Sequence, residues 1–336
     1  VAKHQFSPQM VTAALALGLC NVVACGHRAP VVDARATVSR ATTMPGTCAR
    51  GESTYRLEAW TQRGRFGPGI EGPAVDRWGN VYAMAFGDER SIARITPEGS
   101  VSRFLNLPPG SAGVGSIFGA NQDYFITDYR GHTIWRVAGV SPDASVSNVA
   151  KVWIHDDRMN QPNDLAILRD QTLFVSDPSW EHEHAGSIWR ARGQGDFAVV
   201  LSGLHTPNGI EVDPDERYLY FGESADKKIW RSAIGPERNL QTPELVLDLA
   251  QEVGDVDGMR SDRDGRLFVA VNGGGKILVL DHEAKLERTI ATPGFEPSNL
   301  AFGGPDGCTL YVTDVANGRV GQMRVTAPGR SFGLFD

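Results

Sequence analysis

Six regularly spaced positions hold the residues with which this chain could do chemistry: Glu71, Val114, Asn163, Asn208, Asp257 and Ser298. Four of them carry carboxylate or carboxamide oxygens, and two of those are negatively charged. Converging in a dry interior, two carboxylates without a counter-charge would be costly. One divalent cation matches them. The set is all oxygen, without His or Cys, which favours a hard ion, Ca²⁺ first, with Mg²⁺, Mn²⁺ or Zn²⁺ able to take the same ligands. The competing explanation is that Asn and Asp before Gly are only turn formers. It accounts for Asn208-Gly209 and Asp257-Gly258, but poorly for Glu71 and for Asn163 before Asp164.

Each position opens a copy of one pattern, clearest in residues 207–224. There Ile210 and Val212 give a short alternating strand, residues 213–217 supply turn chemistry, and Tyr218 to Gly222 form a second strand rich in aromatic residues. Repeats roughly 40 to 50 residues apart, made only of short strands, specify a propeller with one four-stranded blade per repeat. The first strand of each blade lines the central channel, so one register position becomes one ring around the axis. The expected fold is therefore all-β, a six-bladed β-propeller over residues 54–328 with a tail at 329–336. Residues 54–61 read as a strand outside any repeat, and the last repeat has only three strand-like runs. The N-terminal strand is thus expected to close the ring in the last blade. Trp135, Trp189 and Trp230 recur in an Ile-Trp-Arg third strand. A large apolar side chain repeated at one register packs blade on blade and needs no aromatic binding box.

The net charge of −7, with 33 Lys and Arg and no run of like charges, leaves no footprint for nucleic acid or an anionic membrane surface. A small-molecule partner and a monomer are expected. Residues 10–25 are almost wholly apolar yet shorter than the roughly 20 residues that span a bilayer, matching a signal-peptide core. Val23-Ala24-Cys25-Gly26 is like a lipobox. Residues 1–25 are read as an export or lipoprotein leader and 26–53 as a tether. The expectation is a periplasmic or membrane-anchored protein held by lipid at Cys25, or otherwise a secreted one. Cys48 and Cys308 would share a blade if the ring closes as described, which permits a disulfide; two free thiols are the alternative.

Glu71-Gly72-Pro73, Pro162-Asn163-Asp164, Pro207-Asn208-Gly209-Ile210, Asp257-Gly258-Met259 and residues 302–306 with 310–313, in this order and at blade spacing, resemble one family. It is that of senescence marker protein, gluconolactonase and luciferin-regenerating enzyme, six-bladed propellers with one divalent metal in the channel. The resemblance covers roughly residues 55–325. It implies metal ligands at Glu71, Asn163 or a water it holds, Asn208 and Asp257, and hydrolysis of a lactone or related cyclic ester. Asp257 is then the first candidate general base and Asp164 the second, while Asn163 would bind substrate or orient water. Two positions depart from the family pattern, Gln161 where some members have Arg and Gly222-Glu223 where Thr-Asp is frequent. Both bear on substrate.

Outside the ring, Glu181-His182-Glu183-His184 forms the one His/Glu cluster of the sequence. It reads as a solvated rim at the channel mouth, with Trp180 or His184 in reach of substrate and a second metal site as the less favoured alternative. His205 is near enough to the ring to shuttle protons; a packed or capped imidazole is the competing role. Two other functions compete with lactone hydrolysis: a calcium-dependent organophosphate or aryl-ester hydrolase, and a non-catalytic tethered propeller that binds a ligand.

Overall fold

The computed structural model describes residues 48, 51, 54–85, 90–142 and 149–335. The leader, Cys25 and the tether apart from Cys48 and Gly51 lie outside the described residues. Among these residues, six four-stranded antiparallel sheets follow one another along the chain as the blades of a propeller. Their inner strands are Ile70–Val75, Gly113–Phe118, Leu165–Ile167, Pro207–Val212, Asp255–Ser261 and Pro297–Gly303.

The sixth blade is completed by the N-terminal strand, as expected. Regular pairing is limited to Glu58–Ala59, with Glu58 opposite Gln322 and Ala59 opposite Gly321. The flanks continue the attachment through Tyr55 N–H to the Arg324 carbonyl at 2.8 Å and Trp60 N–H to the Val320 carbonyl at 3.0 Å. A disulfide joins Cys48 to Cys308 on this blade, with Cα atoms 5.9 Å apart at a sequence separation of 260. Closing so long a loop removes freedom from the unfolded chain and reinforces the seam.

The blades pack face to face through buried apolar layers. Tyr82, Phe104, Phe118 and Tyr124 form one such layer, with ring centroids 4.6 to 6.2 Å apart. The three tryptophans belong to the packing and also donate a hydrogen bond each. Trp135, Trp189 and Trp230 Nε1 reach Asp128, Asp177 and Glu223 at 2.9, 2.8 and 2.7 Å. The same three carboxylates accept the backbone N–H groups of Ala112, Gln161 and His205, just ahead of the inner strand of the same blade. In the sixth blade Asp314 does this for Glu296 and pairs with Arg319 where the others have Trp. Both oxygens of Glu223 are thus occupied as a clamp within its blade.

Glycine follows the ring residue in three of the matched motifs for a packing reason. A Cβ on Gly72 would collide with the Val114 carbonyl, and one on Gly209 with the Asp257 carbonyl. A Cβ on Gly258 would meet the side-chain amide and Cα of Asn299. Adjacent inner strands approach so closely here that no side chain fits, and Gly209 has no positive φ that a turn would require. Gly209→Ala is expected to destabilise the fold by at least about 1–3 kcal/mol, the usual cost of overpacking; a melting temperature equal to that of the parent protein would contradict the packing account.

The described part of the tail, residues 329–335, is docked on the propeller. Gly329 N–H bonds the Gly307 carbonyl at 3.0 Å, Arg330 N–H bonds the Ser261 carbonyl at 2.9 Å, and the Arg330 side chain is buried. Ser261 ends an inner strand, so the tail covers the end of the channel opposite the ring.

Candidate functional site

The inner strands break their pairing at the ring. Ladder register is interrupted between Glu71 and Ala74, Gly113 and Ser116, Pro207 and Ile210, Val256 and Met259, and Pro297 and Leu300. Asn163 likewise precedes the regular part of its strand. Such bulges re-aim side chains and leave them outside the sheet's alternation. Ring residues are turned into the channel by the same irregularity in blade after blade.

Asn208 Nδ2 donates to Asp257 Oδ1 at 2.9 Å and to Ser224 Oγ at 3.2 Å, which leaves its Oδ1 unused. Asp257 Oδ2 accepts from Asn272 Nδ2 at 3.0 Å. The side-chain amide of Asn163 has no hydrogen-bond partner among the described residues, although the residue is buried. Glu71 Oε2 accepts a long bond from its neighbour Gly72 N–H at 3.3 Å, and the Ser298 hydroxyl also bonds its carboxylate. Among the described residues neither Glu71 nor Asp257 has an ion-pair partner. Burial, followed by the charge of Asp257, raises Glu71 well above the ordinary carboxylate range. Asp257 is pushed up to about 7 by burial, with Asp164 adding to it against the two asparagine amides. Val114 closes the ring with an apolar wall, and Ser298 Oγ is engaged by Thr313 Oγ1 at 2.9 Å.

Asp164 lies one layer deeper. Its carboxylate is fully buried and gripped by Arg260 through two bonds of 3.0 and 3.1 Å, with Leu165 N–H at 2.8 Å and Asn299 Nδ2 at 3.4 Å. This leaves it no free lone pair directed at a reacting water. Farther along the axis Glu211 stands 3.8 Å from Arg330, and Arg330 bonds Glu216 at 2.8 Å. Arg169 flanks Glu216 at 3.6 Å. Of five carboxylates along the channel (Glu71, Asp164, Glu211, Glu216, Asp257), the three deeper ones have guanidinium partners among Arg169, Arg260 and Arg330, and the two without one are those of the ring.

Among the described residues no cluster of three His, Cys, Asp or Glu side chains is arranged to hold a metal. The ring has two carboxylates, and the rest of a cation's coordination sphere would fall to the amide oxygens of Asn163 and Asn208. That donor set, with its residual charge of two, fits an oxygen-loving divalent ion. In a cation-free state the sign of the pH effect follows from the raised carboxylates. Both hold protons more tightly folded than unfolded; the contribution of Asp257 is fully present below about pH 4 and is lost as pH rises through about 7, and that of Glu71 has the same sign. Chelated protein is expected to lose roughly 2–4 kcal/mol of stability between pH 5 and 8, with the loss reversed by added Ca²⁺. Melting curves with the opposite slope would contradict it.

Around the mouth, Gln161 Oε1 accepts Trp180 N–H at 3.1 Å, which ties the departure from the family pattern to the 181–184 loop. Trp180 and His184 are exposed, and the His184 ring lies 5.2 Å from that of His205. His205 Nδ1 bonds Asp226 Oδ1 at 2.7 Å. The deeper charged layer, Arg260, Glu211, Arg330 and Asn299, has no counterpart in the sequence expectations. One signal was present: Asp164 and Asn299 occupy the position after the ring residue where blades one, two, four and five have Gly.

The sequence matches the family described as SMP-30/Gluconolactonase/LRE-like region over residues 88–316. It is 26% identical over 278 residues to a gluconolactonase of Zymomonas mobilis, covering 72% of this chain and 75% of that one. It is 27% identical over 307 residues to diisopropyl-fluorophosphatase of Loligo vulgaris, covering 80% of this chain and 95% of the relative. The fold superposes on that of a calcium-binding protein, regucalcin, from Agrobacterium tumefaciens with a TM-score of 0.68 and 19% identity, over 80% of this chain and 94% of the other. With its six blades, its ring at one depth and this match over most of its length, the chain belongs to the SMP-30/gluconolactonase/LRE-like family.

Proposed function

We propose that this chain is a lactone hydrolase whose reaction centre is a divalent cation, Ca²⁺ by preference, held in the channel by Glu71, Asn163, Asn208 and Asp257. The observation that carries it is the uncompensated pair of carboxylates in a channel where the deeper carboxylates have guanidinium partners. Lactonase-named relatives support the substrate class. Bound there, the cation would polarise the substrate carbonyl and acidify water. Asp257, fixed by two amide donors and facing the ring, takes the proton of the attacking water. Asn163, with its amide free, orients water or substrate. Asp164 is a positioning residue in this scheme: locked to Arg260, it sets the place of Asn163 beside it and contributes negative potential from below.

Hydrolysis of phosphotriesters or aryl esters at the same centre is the second reading, favoured by the extent of the match to diisopropyl-fluorophosphatase. Calorimetric titration of chelated protein with Ca²⁺ tests the centre itself. One ion per chain is expected, with binding weakened at least about 10-fold in Glu71→Gln; equal binding by that variant would place the ion elsewhere.

A further inference from the structure

His205 stands three residues before the ring residue Asn208, and three observations set it apart from a packed imidazole. Its Nδ1 is bonded to Asp226 Oδ1 at 2.7 Å, while Nε2 has no hydrogen-bond partner among the described residues and the side chain is 20% exposed. The dyad is laced to the ring: Asn208 Nδ2 bonds Ser224 Oγ, Ser224 N–H bonds the Thr206 carbonyl at 3.1 Å, and Ala225 N–H bonds Thr206 Oγ1 at 2.8 Å. Thr206, between His205 and Pro207, is a buried β-branched residue at φ 55°, a conformation in which such residues are strained. The same register in the first blade is Gly69, which adopts positive φ without that cost.

The loops that carry His205, Asp226 and His184 all lie at the end of the propeller where the inner strands begin, which is the end that holds the ring. The opposite end is covered by the tail with Arg330. Anything produced at the ring leaves through the mouth. In lactone hydrolysis the oxygen of water forms the new bond to the acyl carbon and the ring C–O bond breaks. One hydrogen of the water ends on the ring alkoxide. The other appears as a free proton once the new carboxylic acid ionises.

We propose that His205, oriented by Asp226, carries this second proton from the ring to solvent, accepting it on Nε2 and releasing it at the mouth. The inference rests on the lactonase reading above. Asp226 holds the tautomer with hydrogen on Nδ1 and stabilises the imidazolium that forms. The other charged or titratable groups around the dyad are Lys228, 3.8 Å from Asp226, Glu223, which accepts His205 N–H at 2.6 Å, and the His184 ring.

The test uses the cation-loaded protein with glucono-δ-lactone. His205→Ala is expected to lower kcat about 10²-fold, and added imidazole is expected to restore a large part of it, a rescue that a packing role would not allow. Asp226→Asn, whose side chain is partly exposed and which keeps the neutral ring in place, should give a smaller loss and a displaced pH profile; it also serves if His205→Ala fails to fold. A His205→Ala enzyme with the parent rate, or one that imidazole does not rescue while Asp226→Asn keeps the parent pH profile, overturns the proposal and leaves the lactonase reading intact. A parent protein that turns over no lactone with any ion removes both.

Discussion

Asp257→Ala is expected to abolish hydrolysis, with a loss of about 10³-fold or more in kcat/KM, and to leave a folded propeller. Two functions end together in this variant. The carboxylate is one of two charges that call for a cation, and it is the proton acceptor of the scheme. Removing it leaves Asn208 Nδ2 with Ser224 Oγ, and Asn272, only partly buried, with solvent. In the absence of cation the variant should also be more stable than its parent at pH 8, because a buried carboxylate pushed up to about 7 no longer has to ionise. Circular dichroism and kcat/KM at saturating Ca²⁺ check both halves. A folded variant with parent activity would remove Asp257 from the site.

Arg260→Leu is expected to have the largest effect on stability, about 3–5 kcal/mol, since it strands the carboxylate of Asp164 with no exposure at all. The pair is bidentate and lies one layer below the ring, so the damage is not confined to folding; Asn163 precedes Asp164 and would lose its support. The double variant Asp164→Asn with Arg260→Leu should recover most of the lost stability, because a buried ion pair removed whole costs far less than one cut in half. Denaturant melts of the two single variants and the double variant give the coupling directly. Additive losses would mean that the two side chains do not act as a pair.

The propeller was legible because a fold made of repeats writes the same hairpin six times, and a strand left over at residues 54–61 has one place to go. Its regular part is only Glu58–Ala59, since the Cys48–Cys308 bond and the backbone contacts of Tyr55 and Trp60 share the work of closure. The types of the ring residues were legible for the same reason: a register position is a depth in the channel. What lies beneath them was not. Asp164 reads as a spare base beside Asn163 until Arg260 is seen to reach across the channel from another blade, a contact 96 residues away in sequence with no local mark. Glu223 reads only as a departure from the family pattern until its two oxygens are found on His205 N–H and Trp230 Nε1. Glycine after a ring residue reads as a turn until the neighbouring carbonyl is placed against it. In each case the deciding partner comes from a different strand or blade, and no periodicity within one repeat encodes it.

The central claim is that a cation in the ring performs lactone hydrolysis. Its most direct test is turnover of a lactone panel that includes glucono-δ-lactone, with a phosphotriester and an aryl ester alongside, by protein stripped with chelator and refilled with Ca²⁺, Mg²⁺, Mn²⁺ or Zn²⁺. The account predicts that stripped protein is inactive, that Ca²⁺ restores lactone turnover, and that Asp257→Ala stays inactive with every ion. A cation that raises the melting temperature while no lactone or ester is hydrolysed would contradict it, and would make the ring a staple for the blades of a binding protein.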